Sequence, residues 1–305
     1  MLDSPFPAPQ LPELVAVCLG TLLTMPIPER GFVLDPVIPT QGLVMLYAPR
    51  GIGKTFVALS IAIAIAIASG GRVFNWLATA SRKVLYIDGE MPAISMKERL
   101  ESLATGMAVP PCALENLVLI TPDLQPCPMP DLSTELGQAT IEPFLAGVVD
   151  NLATLCRTGK ENESHSWVSM QAWLLDLRRR GLAVILVHHA GKSGDQRGTS
   201  AREDIMDTVI SLKRPREYKM AEGARFEVHL TKARGITGED AKSFEASLET
   251  ERNALFWQVE ELEDVELDTL RGLLAQGKTV RQCAEAMGKS SSAVQRLKNK
   301  LEGRA

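Results

Sequence analysis

Eight consecutive residues, Ala48-Pro49-Arg50-Gly51-Ile52-Gly53-Lys54-Thr55, have the types and spacing of a phosphate cradle. In the pattern G-x-x-x-x-G-K-[ST], glycines let the backbone curl its N–H groups inward, a lysine neutralises phosphate charge and a hydroxyl ligates magnesium. Gly51, Gly53, Lys54 and Thr55 fill those roles, and Ala48 stands where the first glycine belongs. The expected ATP contacts are Pro49, Arg50, Gly51, Ile52, Gly53, Lys54, Thr55 and Phe56, with Mg2+ on Thr55. A second magnesium contact, usually through water, is expected from an acid ending a neighbouring strand, and Asp150 after the apolar residues 145–149 fits. Hydrolysis also needs a carboxylate to polarise water. Glu90 lies just past the strand at 84–87, and its position at a strand's carboxyl end makes it the preferred base, with Asp88 as the competitor.

Two further groups carry charge where chemistry could use it. His188 and His189 follow the apolar run 182–187, where an imidazole can hydrogen-bond a terminal phosphate; metal ligation is the rival reading, and no cluster at ligand spacing accompanies the pair. Lys232 and Arg234 stand on alternate residues just past a strand. Alternate residues point the same way, so both could reach one anion, and a solvated basic edge is the bland alternative.

The elements that must position these groups can be read from apolar patterning. Residues 42–47 form a compact apolar run ending at a turn, a buried strand feeding the cradle. Residues 60–68 alternate isoleucine with alanine, which pattern alone assigns to a strand. A cradle lysine must instead open a helix whose amides face the phosphate, so a helix buried on most sides is expected. Further strands are expected at 83–88, 117–120, 145–150, 182–187, 209–212, 225–230 and 255–259, with helices at 96–104, 166–180 and from about 200. Strands alternating with helices predict an α/β fold, a mostly parallel sheet between helices, with the last strands as an antiparallel edge. Eight prolines in the first forty residues leave only 14–23 for a helix, so 1–40 reads as an arm, 41–262 as the body and 263–305 as a separate module.

Composition narrows the class. Hydrophobic residues at 45% and charged residues at 23% describe an ordinary folded protein rather than a disordered one. The five cysteines, Cys18, Cys112, Cys127, Cys156 and Cys283, are scattered and never in a C-x-x-C pair, which argues against a zinc site or disulfide scaffold and for a cytoplasmic protein. No basic segment leads an apolar core at the start, and the longest apolar run, 56–68, falls short of the ~20 residues that span a bilayer. Charge is uneven. Residues 269–305 hold eight Lys and Arg against two acids, a basic tail of +6 on a body of −10. Within that tail, 279–287 and 291–301 are expected helices around the turn at Gly288, with Ala284, Val294 and Leu297 at core positions, the spacing of a helix-turn-helix. Ser291, Ser292, Gln295 and Arg296 would then face DNA; a helical hairpin for ring assembly is the alternative, favoured by Lys289 at a position normally apolar.

Taken in order, the cradle, the stretches 86–90 and 148–152, the run 187–192, residues 196–201 and residues 232–238 resemble the RecA-like hexameric replicative helicase superfamily. The resemblance is closest to plasmid RepA-type helicases and mobile-element AAA-type ATPases. It implies a RecA-like P-loop core and a homo-oligomer, usually a hexameric ring, with ATP between subunits. In that scheme Lys54 and Glu90 are catalytic, Asp150 is the Walker B acid, and His188 is the phosphate sensor with His189 as its substitute. Lys232 and Arg234 are fingers given in trans. The loop 190–200 lines the channel, where Lys192 and Arg197 meet the phosphates of single-stranded DNA, and double-stranded DNA or a replication protein meets the C-terminal module.

Overall fold

The computed structural model describes residues 14–67, 70–145, 148–150, 164–189, 201–215 and 217–303. It divides into two units, Met1–Arg30 and Gly31–Ala305. In the first, helix α1 (Leu19–Thr24) buries none of its residues, and Pro26 and Pro28 follow its end.

The second unit begins earlier than the sequence suggested. Residues 31–40, expected to belong to the arm, supply β1 (Phe32–Asp35) and β2 (Ile38–Pro39), which pair with each other antiparallel. Strand β3 (Leu43–Ala48) is buried at every residue and runs into the cradle, which opens helix α2 (Lys54–Ala66). The isoleucine alternation of α2 spreads apolar side chains all round its axis, and every residue from Val57 to Ala66 is buried. Strands β4 (Arg72–Val73) and β5 (Trp76–Ala78) then complete a four-stranded sheet with β1 and β2.

The chain continues through β6 (Val84–Ile87), α3 (Ala93–Gly106), β7 (Leu117–Ile120), α4 (Glu135–Ile141), β8 (Val148–Asp150), α5 (Ser164–Arg179) and β9 (Ala183–His189). Short helix α6 (Ala201–Asp204) leads to β10 (Thr208–Lys213), β11 (Arg225–Ala233), β12 (Phe244–Glu251) and β13 (Ala254–Glu261). Helix α4 and strand β12 have no counterpart in the sequence reading. Thr134 caps α4 by accepting from the Gly137 N–H, a start signal that was present in the sequence.

A nine-stranded mixed sheet runs β13-β12-β11-β10-β3-β9-β8-β6-β7, parallel from β10 to β7 and antiparallel from β10 to β13. The cradle strand β3 therefore has β9 on one side and β10 on the other. Alternate residues of each strand serve two cores. Val44, Leu46, Ala48, Ile185 and Val187 pack with α2, whereas Leu43, Met45, Val184 and Leu186 pack with α5. Phe74, Trp76, Phe226, Phe244 and Trp257 meet edge to face, joining the small sheet to the antiparallel end of the large one.

The last three helices, α7 (Leu262–Ala275), α8 (Val280–Met287) and α9 (Ser291–Leu301), share a core of their own around Leu270, Cys283, Ala284 and Val294. Thr279 and Gln282 form a capping box at the start of α8, Gly288 ends it in the left-handed conformation, and Ser290 caps α9. Lys289, the residue at odds with an apolar position, bridges to Glu266 of α7 at 2.7 Å. Among the described residues no helix is long and apolar enough to cross a membrane.

Candidate nucleotide-binding site

The cradle adopts its shape through two glycines. Gly51 has φ 72° and Gly53 φ 121°, a region that side-chain-bearing residues rarely enter. Gly53 is also closely approached, since a Cβ there would stand 3.0 Å from the Ala224 Cβ and 3.1 Å from the Phe226 ring. Ala48 makes no such demand. It is the last residue of β3, fully buried and without a positive φ, so its methyl packs in the core where a glycine would leave space.

Lys54 opens α2 and is 7% exposed. Its Nζ donates to the Ala48 and Pro49 carbonyl oxygens, both at 2.8 Å. Burial lowers its pKa to about 8; nearby Glu90 opposes that shift and Arg50 adds to it. Lys54, Thr55, Asp88, Glu90 and His189 line a cavity of ≈ 250 Å³ together with Tyr86, Met91 and Val187. The cradle, strand β6 and strand β9 thus meet at one place.

The two acids that follow β6 are held differently. Asp88 is 3% exposed, and its Oδ1 accepts the Glu90 and Met91 N–H groups, both at 2.7 Å. This Asx-type turn presents Glu90, which is exposed, at the rim of the cavity. Asp88 is anchored and Glu90 is not.

Strand parity separates the histidines. His188 falls on the α5 side of β9, the side of Val184 and Leu186, and accepts at Nε2 from Arg202 Nη1 at 3.2 Å. Arginine can only donate, so His188 there is a neutral imidazole with its proton on Nδ1. Of the two, His189, preferred second in the sequence reading and on the α2 side, is the one that lines the cavity. The register that pairs Ala48 of the cradle strand with His189 sets which of the two faces the cavity. Among the described residues no group of three His, Cys, Asp or Glu could hold a metal ion.

Asp150 is the last residue of β8, level with Tyr86 on β6 and Ile185 on β9. Its side chain lies outside the described residues, as do the loop 190–200 and its Lys192 and Arg197. Lys232 and Arg234 do converge. Lys232 Nζ donates to the Glu203 and Asp204 carbonyls, the latter at 3.1 Å, and Arg234 Nη2 to the Asp204 carbonyl at 3.0 Å. Burial, then the neighbouring Arg234, lowers the Lys232 pKa. Lys232 pairs with Val209, which pairs with Met45, so the two cations lie toward the start of β3 and away from the cradle at its end. At the other module, Ser291, Ser292, Gln295 and Arg296 are exposed on α9, beside a groove of ≈ 590 Å³ between α7 and α9 lined by Glu266, Lys289, Arg296 and Lys300.

Two polar residues escaped the sequence reading. Asp207, 2% exposed, accepts the Leu43 N–H at 3.0 Å and so ties the start of β10 to the start of β3. Arg214, following β10, donates to the Gly51 carbonyl at 2.8 Å. Neither belongs to a motif; only the strand order brings them there.

Comparison with known proteins is consistent with this geometry. The profile of the AAA domain family AAA_25 matches residues 7–195, more than half of the chain. The chain belongs to that family. Strand order and cradle make this AAA domain a RecA-like P-loop ATPase core. The solved flagellar accessory protein FlaH from Methanocaldococcus jannaschii is similar to it at 13% identity, over 72% of this chain and 91% of FlaH, with a TM-score of 0.49. The KaiC-like protein PH0186 from Pyrococcus horikoshii OT3 is similar at 15% identity, over 74% and 93%, with a TM-score of 0.48. No curated protein matches this chain.

Proposed function

We propose that this AAA domain is a DNA-dependent ATPase motor of the RepA-like helicase type, serving a plasmid or other mobile element. It hydrolyses ATP at the interfaces of a homo-oligomeric ring, most simply a hexamer, and moves on single-stranded DNA. The observation that carries the reading is the meeting of Lys54, Thr55, Glu90 and His189 on one cavity at the mouth of the cradle. The residues there fit a nucleoside triphosphate with magnesium: two positive-φ glycines, a buried ammonium, a hydroxyl and a carboxylate.

Each residue then has its own role. Lys54 exchanges its two carbonyl partners for phosphate oxygens, which favour the charged form. Thr55, and Asp150 through water, would hold magnesium, which when bound neutralises charge developing on the phosphates. Glu90 accepts the proton of the attacking water, and Asp88 keeps it in place. His189 hydrogen-bonds the terminal phosphate. His189 and His188 are consecutive on β9, so loss of that phosphate is felt on both faces of the sheet, at Arg202 and at the start of the loop 190–200 that carries Lys192 and Arg197.

Lys232 and Arg234 complete the site from the next subunit. What supports this is their placement away from the cradle of their own chain and their convergence on one group, the carbonyl of Asp204. The basic C-terminal module adds contacts to double-stranded DNA or a replication protein through Ser291, Ser292, Gln295 and Arg296. The exposure of these α9 residues also favours a second reading, an ATP-switched DNA-binding regulator or recombination mediator with little unwinding.

ATP turnover with and without single-stranded DNA, measured beside strand displacement, separates the two. The motor shows DNA-stimulated turnover and displacement, both lost in Glu90→Gln; ATP binding with negligible turnover and intact double-stranded binding would contradict it.

A further inference from the structure

The connection between β10 and β11 touches the phosphate loop at two points that the chemistry above leaves unused. Arg214 Nη2 donates to the Gly51 carbonyl oxygen at 2.8 Å. The guanidinium lies 3.6 Å over the Tyr218 ring, and Tyr218 in turn donates its hydroxyl to the Gly223 carbonyl at 2.8 Å. Arg214 Nη1 reaches the same Gly223 oxygen at 3.4 Å. One residue further on, Ala224, with Phe226, fills the space beside Gly53. Both loop glycines therefore lean on one segment, Gly51 through a charged hydrogen bond and Gly53 through contact.

We propose that Arg214, itself set by Tyr218, is a positioning residue that holds the Gly51–Ile52 peptide with its amide turned toward the bound phosphates. A trans peptide is planar, and its C=O and N–H point opposite ways. Fixing the Gly51 oxygen outward on Arg214 therefore fixes the Ile52 N–H on the inner side of the loop. Glycine at φ 72° has no side chain to oppose a flip of that peptide, so an external anchor decides its orientation. Lys54 cannot supply it, because its two bonds go to Ala48 and Pro49. A guanidinium is well suited to this position, because its fork gives one donor to Gly51 and one to Gly223 while its plane stacks on the ring. A lysine would keep the charge and lose the fork and the stack.

This inference rests on the nucleotide reading of the cavity, and calorimetric titration of the full chain with Mg–ATP and with Mg–tripolyphosphate tests both separately. Arg214→Ala and Tyr218→Ala weaken the two ligands by the same factor, about tenfold or more, with unchanged unfolding midpoints. Arg214→Lys recovers only part of the loss, whereas Tyr218→Phe, which keeps the ring, stays closer to the native chain. ATP weakened without tripolyphosphate would place the effect at the nucleoside and overturn the proposal, as would native affinity in both alanine variants or a lowered midpoint that accounts for the loss. A native chain that binds neither ligand would overturn the nucleotide reading itself.

Discussion

Lys54 and the Lys232/Arg234 pair are both cations resting on backbone carbonyls, yet they differ in what surrounds them. Lys54 is buried beside Thr55, Glu90 and His189, so the groups it would work with are already assembled in its own chain. Lys232 and Arg234 rest on the last carbonyls of the short helix α6, the first half-buried and the second exposed, away from the cradle of their own chain. A helix C-terminus carries partial negative charge and suits cations, but these bonds are exposed and cheap to exchange. The first site gathers its cradle, carboxylate and imidazole within one chain; the second presents two donors apart from that cradle. Mutations at the two should therefore separate binding from turnover.

The largest separation is expected at Arg234. Arg234→Ala leaves ATP affinity and the unfolding midpoint unchanged while turnover falls by about three orders of magnitude, the scale of a finger residue. A parallel loss of affinity would move the pair into the binding site of its own chain. Glu90→Gln comes next, lowering turnover by about a hundredfold or more at unchanged ATP affinity, measured as single-turnover rate and as binding. Asp88→Asn would resemble it more weakly, because an amide oxygen still accepts the two backbone N–H groups.

The histidines sharpen the same contrast at shorter range. His189→Ala should cost about tenfold or more in turnover, the worth of one hydrogen bond to a charged group, and His188→Ala should leave basal turnover close to native while weakening its stimulation by DNA. The reverse ranking would mean that the strand is read on its other face.

The pH dependence gives the smallest effect. Lys54 has its folded pKa lowered from 10.5 to about 8, so between those values the unfolded chain holds the extra proton and stability rises with pH. ATP favours the ammonium, so affinity runs the other way: it is full below pH 8 and falls by about tenfold at pH 9. Lys54→Arg would flatten the profile, since its charge does not titrate there.

Much of this contrast was legible in the sequence, and the limits follow from physics. The cradle, its strand and the helix behind it follow from local chemistry. The isoleucine alternation of α2 misleads only until the requirement for a helix N-terminus at Lys54 overrides it. The place of Glu90 beside the cavity was legible because a strand's carboxyl end fixes where the residues after it go. His188 was preferred and His189 kept as its substitute, since the choice between neighbours on a strand depends on which face the cradle helix covers. Asp207 and Arg214 were invisible because both act 163 or more positions away in sequence, across a pairing of β3 with β10 that no local pattern announces. Strands β1 and β2 were hidden by prolines at 36 and 39, which mark turns as readily as arms.

The central claim, that the cavity is completed by the next copy, is tested most directly by mixing two inactive variants in the presence of single-stranded DNA. Lys54→Ala subunits lack the cradle cation and keep the finger pair; Arg234→Ala subunits do the opposite. At random equal mixing, about one interface in four joins an intact cradle to an intact finger, so DNA-stimulated turnover should return to about a quarter of the native rate. A mixture no more active than either variant alone would contradict the shared site.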